Sequence, residues 1–253
     1  TYHETVAALR RAGLVASLSI KPTQFGVALD FSRCATLVAD LAADAATLSA
    51  TVRLDMESSA YTDATLRLWR TLRQEHPNVG IVLQAALRRT GADLAQAIAE
   101  GASIRLCKGA YAEAPQIAFP KKRDVDASYE RLMRQLLEAA ATLPPPGGGN
   151  EPRAALATHD ERLIALARRI ARRLMLGPER YEFQMLYGVR RDLQSRLIAA
   201  REPLRIYVPW GPAWYPYLSR RLAEHPANII FLGRALLAEL MAGRHNGHKS
   251  GLR

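Results

Sequence analysis

The sequence predicts an α/β fold, a (β/α)8 TIM-like barrel whose first strand is missing from an N-terminally truncated chain. Three observations predict it. Short β-like runs alternate with longer amphipathic helical stretches, the order of βαβ units around a parallel sheet. Several runs are apolar at most positions, as strands covered on both faces are. Polar residues recur at the C-terminal ends of the runs: Lys21, Asp55 and Glu57, Gln84, Lys108, Thr158 and His159, Gln184 and Tyr207. A barrel of this kind builds its active site from those ends. A doubly wound sheet is the alternative, and it would offer its ligand site at one crevice instead.

Taken in order, residues 1–14 (TYHETVAALRRAGL) read as a helix leading into VASLSIK (15–21). The further β-like runs are TVRLDME (51–57), NVGIVLQAAL (78–87), SIRLCKGAY (103–111), AALATHD (154–160), YEFQML (181–186) and LRIYVPWG (204–211). Between them lie the helical patterns SRCATLVADLAADAATL, DATLRLWRTLRQEH, GADLAQAIAEG, DASYERLMRQLLEAAATL, ERLIALARRIARRLM and RRDLQSRLIAA. WYPYLSRRLAEH and ANIIFLGRALLAELM follow the last run. Seven runs are one short of a closed barrel, and the first residue is Thr, so the strand expected to be missing is the first. LPPPGGGN (143–150) suits neither helix nor strand and reads as a loop before the sixth strand of the full barrel. It is too short for a linker, so one domain over 1–253 is expected.

Composition narrows the function. Hydrophobic residues make up 49% and charged residues 23% of 253, ordinary for a globular chain with a large core. The net charge of +11 suits anionic ligands, an anionic membrane or nucleic acid. The basic residues are spread over helices (RRAG, RLWRTLRQ, ARRIARRL) instead of forming one stripe, so no nucleic-acid partner is expected. Cys34 and Cys107 are the only cysteines, which leaves no disulfide framework or zinc spacing and points to a reducing compartment. No apolar run reaches membrane-spanning length, and no signal peptide opens the chain.

Five motifs carry the chemistry. RLCKGAY (105–111) ends a strand with two cations, a glycine that permits close backbone approach, and an aromatic ring. In AFPKKRDVD (118–126), Lys121, Lys122 and Arg123 stand ahead of a helix N-terminus, where phosphates bind. His159 in ATHD has no second histidine at a strand end, so no catalytic metal is expected. Glu182 and Gln184 in YEFQMLYG share one strand face; if that face is the barrel interior, both need partners. In WYPYLSRR, Tyr217, Arg220 and Arg221 have i, i+3, i+4 spacing, one helical face, and paired guanidinium forks match a carboxylate. No G-x-S-x-G, P-loop or G-x-G-x-x-G pattern occurs.

Together these segments resemble the proline dehydrogenase family in its short, monofunctional bacterial form. The resemblance runs in order through SIKPTQFG, RLDMESS, VLQAALRRT, RLCKGAY, FPKKRDVDASY, ATHD, EFQMLYGVR, RIYVPWG and WYPYLSRRLAE-PAN, from about residue 15 to residue 237. It implies a (β/α)8 barrel with noncovalent FAD that oxidises L-proline to Δ1-pyrroline-5-carboxylate, the first step of proline catabolism, and passes electrons to a membrane quinone. A separate pyrroline-5-carboxylate dehydrogenase is implied as well, and a cytoplasmic location, peripheral to the inner face of the membrane. By the resemblance, Arg220, Arg221 and Lys21 hold the proline carboxylate, and Tyr111, Leu186 and Tyr207 pack around its ring. Asp55 matches an active-site aspartate and Arg105 an arginine near flavin N5. Met56 (by its backbone), Gln84, Lys108, Gly109, Ala110, Thr158, His159 and Gln184 match flavin-contacting positions, and Lys121 and Lys122 the basic loop near the phosphates. Ala112 departs from the pattern, since many longer members carry tryptophan there. The rival reading is a flavin-free barrel aldolase or isomerase acting on a phosphorylated substrate, with Lys108 as a Schiff-base lysine. A non-enzymatic basic binding protein is a third, resting on net charge alone.

Overall fold

Alternation of side chains between the two faces of each strand decides the architecture, because one side chain in two meets the helices and the next faces inward. The computed structural model describes residues 2–14 and 16–211. Its strands are β1 Leu18–Ile20, β2 Val52–Leu54, β3 Val79–Gln84, β4 Ile104–Cys107, β5 Ala154–Ala157, β6 Tyr181–Leu186 and β7 Leu204–Tyr207. All pair in parallel with their neighbours in chain order. The helices are α1 Tyr2–Arg11, α2 Phe31–Ala46, α3 Thr62–Leu72, α4 Thr90–Ala99, α5 Lys122–Thr142, α6 Glu161–Arg173 and α7 Arg191–Ala199. This is the expected barrel-type α/β fold, seen as a curled sheet of seven strands. Among the described residues no strand joins β7 to β1. The two helical patterns after β7, with Tyr217, Arg220 and Arg221, lie outside the described residues.

The helix-facing strand residues Ile20, Leu54, Ile81, Leu83, Ile104, Leu106, Leu156, Phe183 and Met185 are buried against Leu41, Leu68, Trp69, Leu94, Leu132, Leu136 and Leu163. Each such side chain contributes roughly 1.5–3 kcal/mol on leaving water. Helices α2 and α6 start at capping aspartates. Asp30 accepts from the Arg33 amide at 2.9 Å, and Asp160 from Arg162 and Leu163 at 3.1 and 3.4 Å. Helix α5 begins at Lys122, four residues ahead of the pattern's start at Asp126. The Lys122–Asp126 pair at 2.6 Å closes that additional turn, so Lys122 and Arg123 lie within the helix and only Lys121, at the N-cap, precedes it.

The inward side is polar. Arg53 on β2 is fully buried and donates to the carbonyls of Ile81 and Ser103 at 3.0 Å each, to Ser103 Oγ at 2.8 Å and to Glu151. LPPPGGGN does form the loop before β5, and its end is also the barrel floor. Asn150 Oδ1 accepts from Ser17 Oγ at 2.9 Å and from the Thr51 amide at 3.2 Å. A Cβ on Gly149 would stand 2.2 Å from Thr51 Oγ1, so only glycine lets the floor cross here.

Gly80 on β3 has a similar duty. A Cβ there would stand 3.1 Å from the Arg53 guanidinium and 3.1 Å from the Ser103 carbonyl oxygen. Gly80→Ala should therefore cost about 1–3 kcal/mol through overpacking, read as a lowered urea midpoint with unchanged slope. Wild-type stability in that variant would show that Arg53 has room to move.

Candidate active site at the strand ends

Asp55 directly follows β2, where its amide continues the ladder by donating to Ile20 O at 2.8 Å. Its Oδ1 accepts from Arg105 Nη1 at 3.0 Å, and its Oδ2 lies 3.8 Å from Lys21 Nζ at the end of β1. Burial pushes the Asp55 carboxyl above its ordinary range; Arg105 first, then Lys21, oppose that shift. Arg105 rises from the interior face of β4. Its Nε donates to Gln184 Oε1 on β6, and its guanidinium lies 5.5 Å from the Tyr207 ring centroid at the end of β7. Five strands thus bring Lys21, Asp55, Arg105, Gln184 and Tyr207 into one cluster. Only a curled sheet lets side chains from β2, β4 and β6 meet in this way.

A second group lies beside it. Gln84, buried at the end of β3, donates to the carbonyls of Met56 at 2.7 Å and Glu57 at 3.0 Å, fixing the chain after β2. Gly109 has φ +102°, and a Cβ there would stand 3.2 Å from Gln84 Oε1 and from Ala86 Cβ. The backbone at Gly109 therefore stands over Gln84 with no side chain between them, and Gly109 and Ala110 are exposed. His159 Nε2 accepts from the Leu186 amide at 2.9 Å, which assigns the ring proton to Nδ1. Thr158 Oγ1 accepts from the Asp160 amide at 3.1 Å. Tyr111 is exposed and Leu186 half-buried at the same end of the barrel. No cluster of three potential metal ligands occurs among the described residues.

Lys108 is tied between Asp126 Oδ1 at 2.5 Å and Asp160 Oδ2 at 3.1 Å. Burial alone would raise both carboxyls, but hydrogen bonds from Lys108, and from Lys122 at Asp126, hold them below their ordinary range. A Schiff-base lysine must reach a carbonyl substrate, and these two carboxylates hold Nζ away from that task. Lys121 caps α5 and is exposed.

The partnerships of several contributors were not evident in the sequence. Glu57 accepts from the Thr23 amide at 3.0 Å and Thr23 Oγ1 at 2.7 Å, which anchors the turn carrying Lys21. Glu113 accepts from the Ser59 amide and hydroxyl at 2.6 Å each, strapping the loop after β4 across the loop after β2. Arg53 had a signal, since it shares the inward face of its strand with Asp55 by period two. Glu151, as its partner, had none.

The family model described as Proline dehydrogenase matches residues 1–234. The chain is 34% identical to proline dehydrogenase 2 of Bacillus subtilis (strain 168) over 229 residues, which is 90% of this chain and 72% of that protein. It is 43% identical to proline dehydrogenase of Deinococcus radiodurans over 186 residues, 73% of this chain and 56% of that protein. Among solved structures it matches proline utilization A (PutA) from Bdellovibrio bacteriovorus, inactivated by N-propargylglycine. That match has a TM-score of 0.71 at 26% identity and covers 87% of this chain. The chain spans only 27% of the length of that structure.

Proposed function

Because the chain belongs to the proline dehydrogenase family, we propose that it oxidises L-proline to Δ1-pyrroline-5-carboxylate with FAD as the immediate acceptor and a membrane quinone as the next. The observation that carries this reading is the Lys21–Asp55–Arg105–Gln184–Tyr207 cluster at the open strand ends. The residues beside it fit a flavin. Bare, exposed backbone at Gly109 over Gln84 leaves room for a ring to approach, and Arg105, Gln184, Thr158 and His159 are polar groups suited to a ring edge of nitrogens and carbonyls. Lys121 and Lys122 are the candidates for the phosphates, at the start of α5. When bound, the isoalloxazine supplies the two-electron acceptor that side chains lack.

The protein's part is orientation and charge. Lys21, with Arg220 and Arg221, holds the substrate carboxylate, and Tyr111, Leu186 and Tyr207 wall the ring. C5 gives up a hydride while the neutral amine gives up a proton, leaving the C=N bond of the product. Fixing that geometry is worth up to roughly 7–11 kcal/mol of barrier. Arg105 adds positive charge beside the site of reduction. The product then needs a separate pyrroline-5-carboxylate dehydrogenase. Contact with the quinone is peripheral in this reading; among the described residues no helix is long and apolar enough to cross a membrane.

Purified protein should be yellow, and its flavin absorption should bleach anaerobically on adding L-proline. Colourless protein that FAD cannot reconstitute would overturn the proposal. Arg221→Met, and equally Arg220→Met, should raise KM for proline steeply while flavin content stays at the wild-type level. An unchanged KM would remove both from the carboxylate clamp.

A further inference from the structure

Gln184 supplies the acceptor that orients Arg105, so whatever orients Gln184 also orients Arg105. A carboxamide accepts through oxygen and donates twice through nitrogen. Gln184 Oε1 faces Arg105 Nε; Nε2 faces Glu182 Oε1 at 2.5 Å and Glu151 Oε2 at 3.3 Å. Turned over, the amide would set its NH2 against the Arg105 N–H and its oxygen against two carboxylates, losing all three hydrogen bonds. Glu182 is itself held through both oxygens by Arg205 Nε, at 2.8 and 3.1 Å, and Arg205 Nη2 donates to the floor carbonyl of Asn150 at 2.9 Å. Gln184 and Glu182 are 4% and 6% exposed, so water has little access to replace a lost partner.

We infer that Glu182 is a positioning residue: it fixes the amide orientation of Gln184, and through it the guanidinium of Arg105 at the barrel mouth. A carboxylate is required at position 182 because both oxygens accept, one from Gln184 and both from Arg205. Glutamine there would keep the volume but turn one N–H donor toward another donor. The catalytic consequence rests on the proposed proline oxidation; the geometric claim does not.

The test reads the Arg105 Nε–H resonance in the full chain without flavin, assigned by its loss in Arg105→Lys. In the wild type this proton should exchange slowly. In Glu182→Gln it should exchange about fivefold faster or more, the change expected for one lost hydrogen bond. In flavin-loaded protein the same substitution should make the midpoint potential more negative and lower kcat more than it changes KM. Equal exchange rates in the two proteins would overturn the inference, as would an unchanged potential. A wild type that protects the proton yet binds no flavin would overturn the proposed function and leave the positioning role standing. Should Glu182→Gln not fold, the wild-type Gln184 side-chain amide decides: protected Nε2 protons support the role, and freely exchanging ones end it.

Discussion

Glu151→Ala is expected to lower stability by about 3–5 kcal/mol at neutral pH, enough to unfold a marginal domain. Arg53 has no solvent exposure, and Glu151 is the carboxylate that faces it. Without Glu151, three neutral acceptors remain for a buried full charge. Burial disfavours the charged form of both members of the pair, and each member favours the charge of the other. Burial pulls the Arg53 guanidinium down while Glu151 opposes this. Burial would raise the Glu151 carboxyl, but Arg53 and then Arg105 outweigh it and hold it at about 2, against an ordinary 4.5. A depressed folded value means the contribution is complete above the ordinary value and lost as pH falls through the folded one. Wild-type stability should thus fall between about pH 4.5 and pH 2, by about 3 kcal/mol from this group, and Glu151→Gln should lack that slope. Asp55 has the opposite sign, since its raised value makes ionisation cost stability as pH rises. Urea midpoints at several pH values measure both. The double variant Arg53→Met with Glu151→Leu removes both charges and should recover most of what the single variant loses. Failure to recover would mean that Arg53 holds Ile81 and Ser103 together through its hydrogen bonds instead.

The strands were legible because their signal is local. IRLC, YEFQML and LRIY each carry their apolar face in alternate residues only two apart, and each was bounded by turn chemistry. Polar residues at the strand ends were legible for the same reason. Their partnerships were not. Lys108 meets Asp126 and Asp160 because β4 and β5 pair side by side with α5 between them in the chain, and Arg105 reaches Asp55 and Gln184 across strands 50 and 79 residues apart in sequence. Proline and glycine in LPPPGGGN announced a loop, but such residues say where a chain turns and not what it crosses. The floor role of Asn150 and Glu151 therefore became evident only in the fold. The start of α5 was read late because KKRD has no apolar periodicity, while the Lys122–Asp126 pair that extends the helix is electrostatic.

On the role proposed for Arg105, Arg105→Met is expected to lower kcat/KM for proline about a hundredfold to a thousandfold, the usual effect of deleting a preorganised charged donor at a reacting centre. The same change alters Asp55. Burial already pushes that carboxyl up, and Arg105 is the largest opposing influence, ahead of Lys21. Lys21 stands at 3.8 Å with its side chain 40% exposed, so solvent screens much of what it can offer in compensation. In the variant Asp55 stays protonated to higher pH than in the wild type. If ionised Asp55 is needed, the acid limb of the kcat/KM profile moves toward higher pH in Arg105→Met and disappears in Asp55→Asn. A profile that keeps its limb in Arg105→Met would separate the two residues functionally. Arg105→Lys should rescue little of the loss. One guanidinium plane serves Gln184 through Nε and Asp55 through Nη1 while it lies 5.5 Å from the Tyr207 ring centroid. An ammonium is a point charge on a flexible stem and cannot hold all three at once. Recovery to near wild-type rates in Arg105→Lys would therefore show that charge alone, and not the fork that Gln184 and Asp55 orient, does the work at this position.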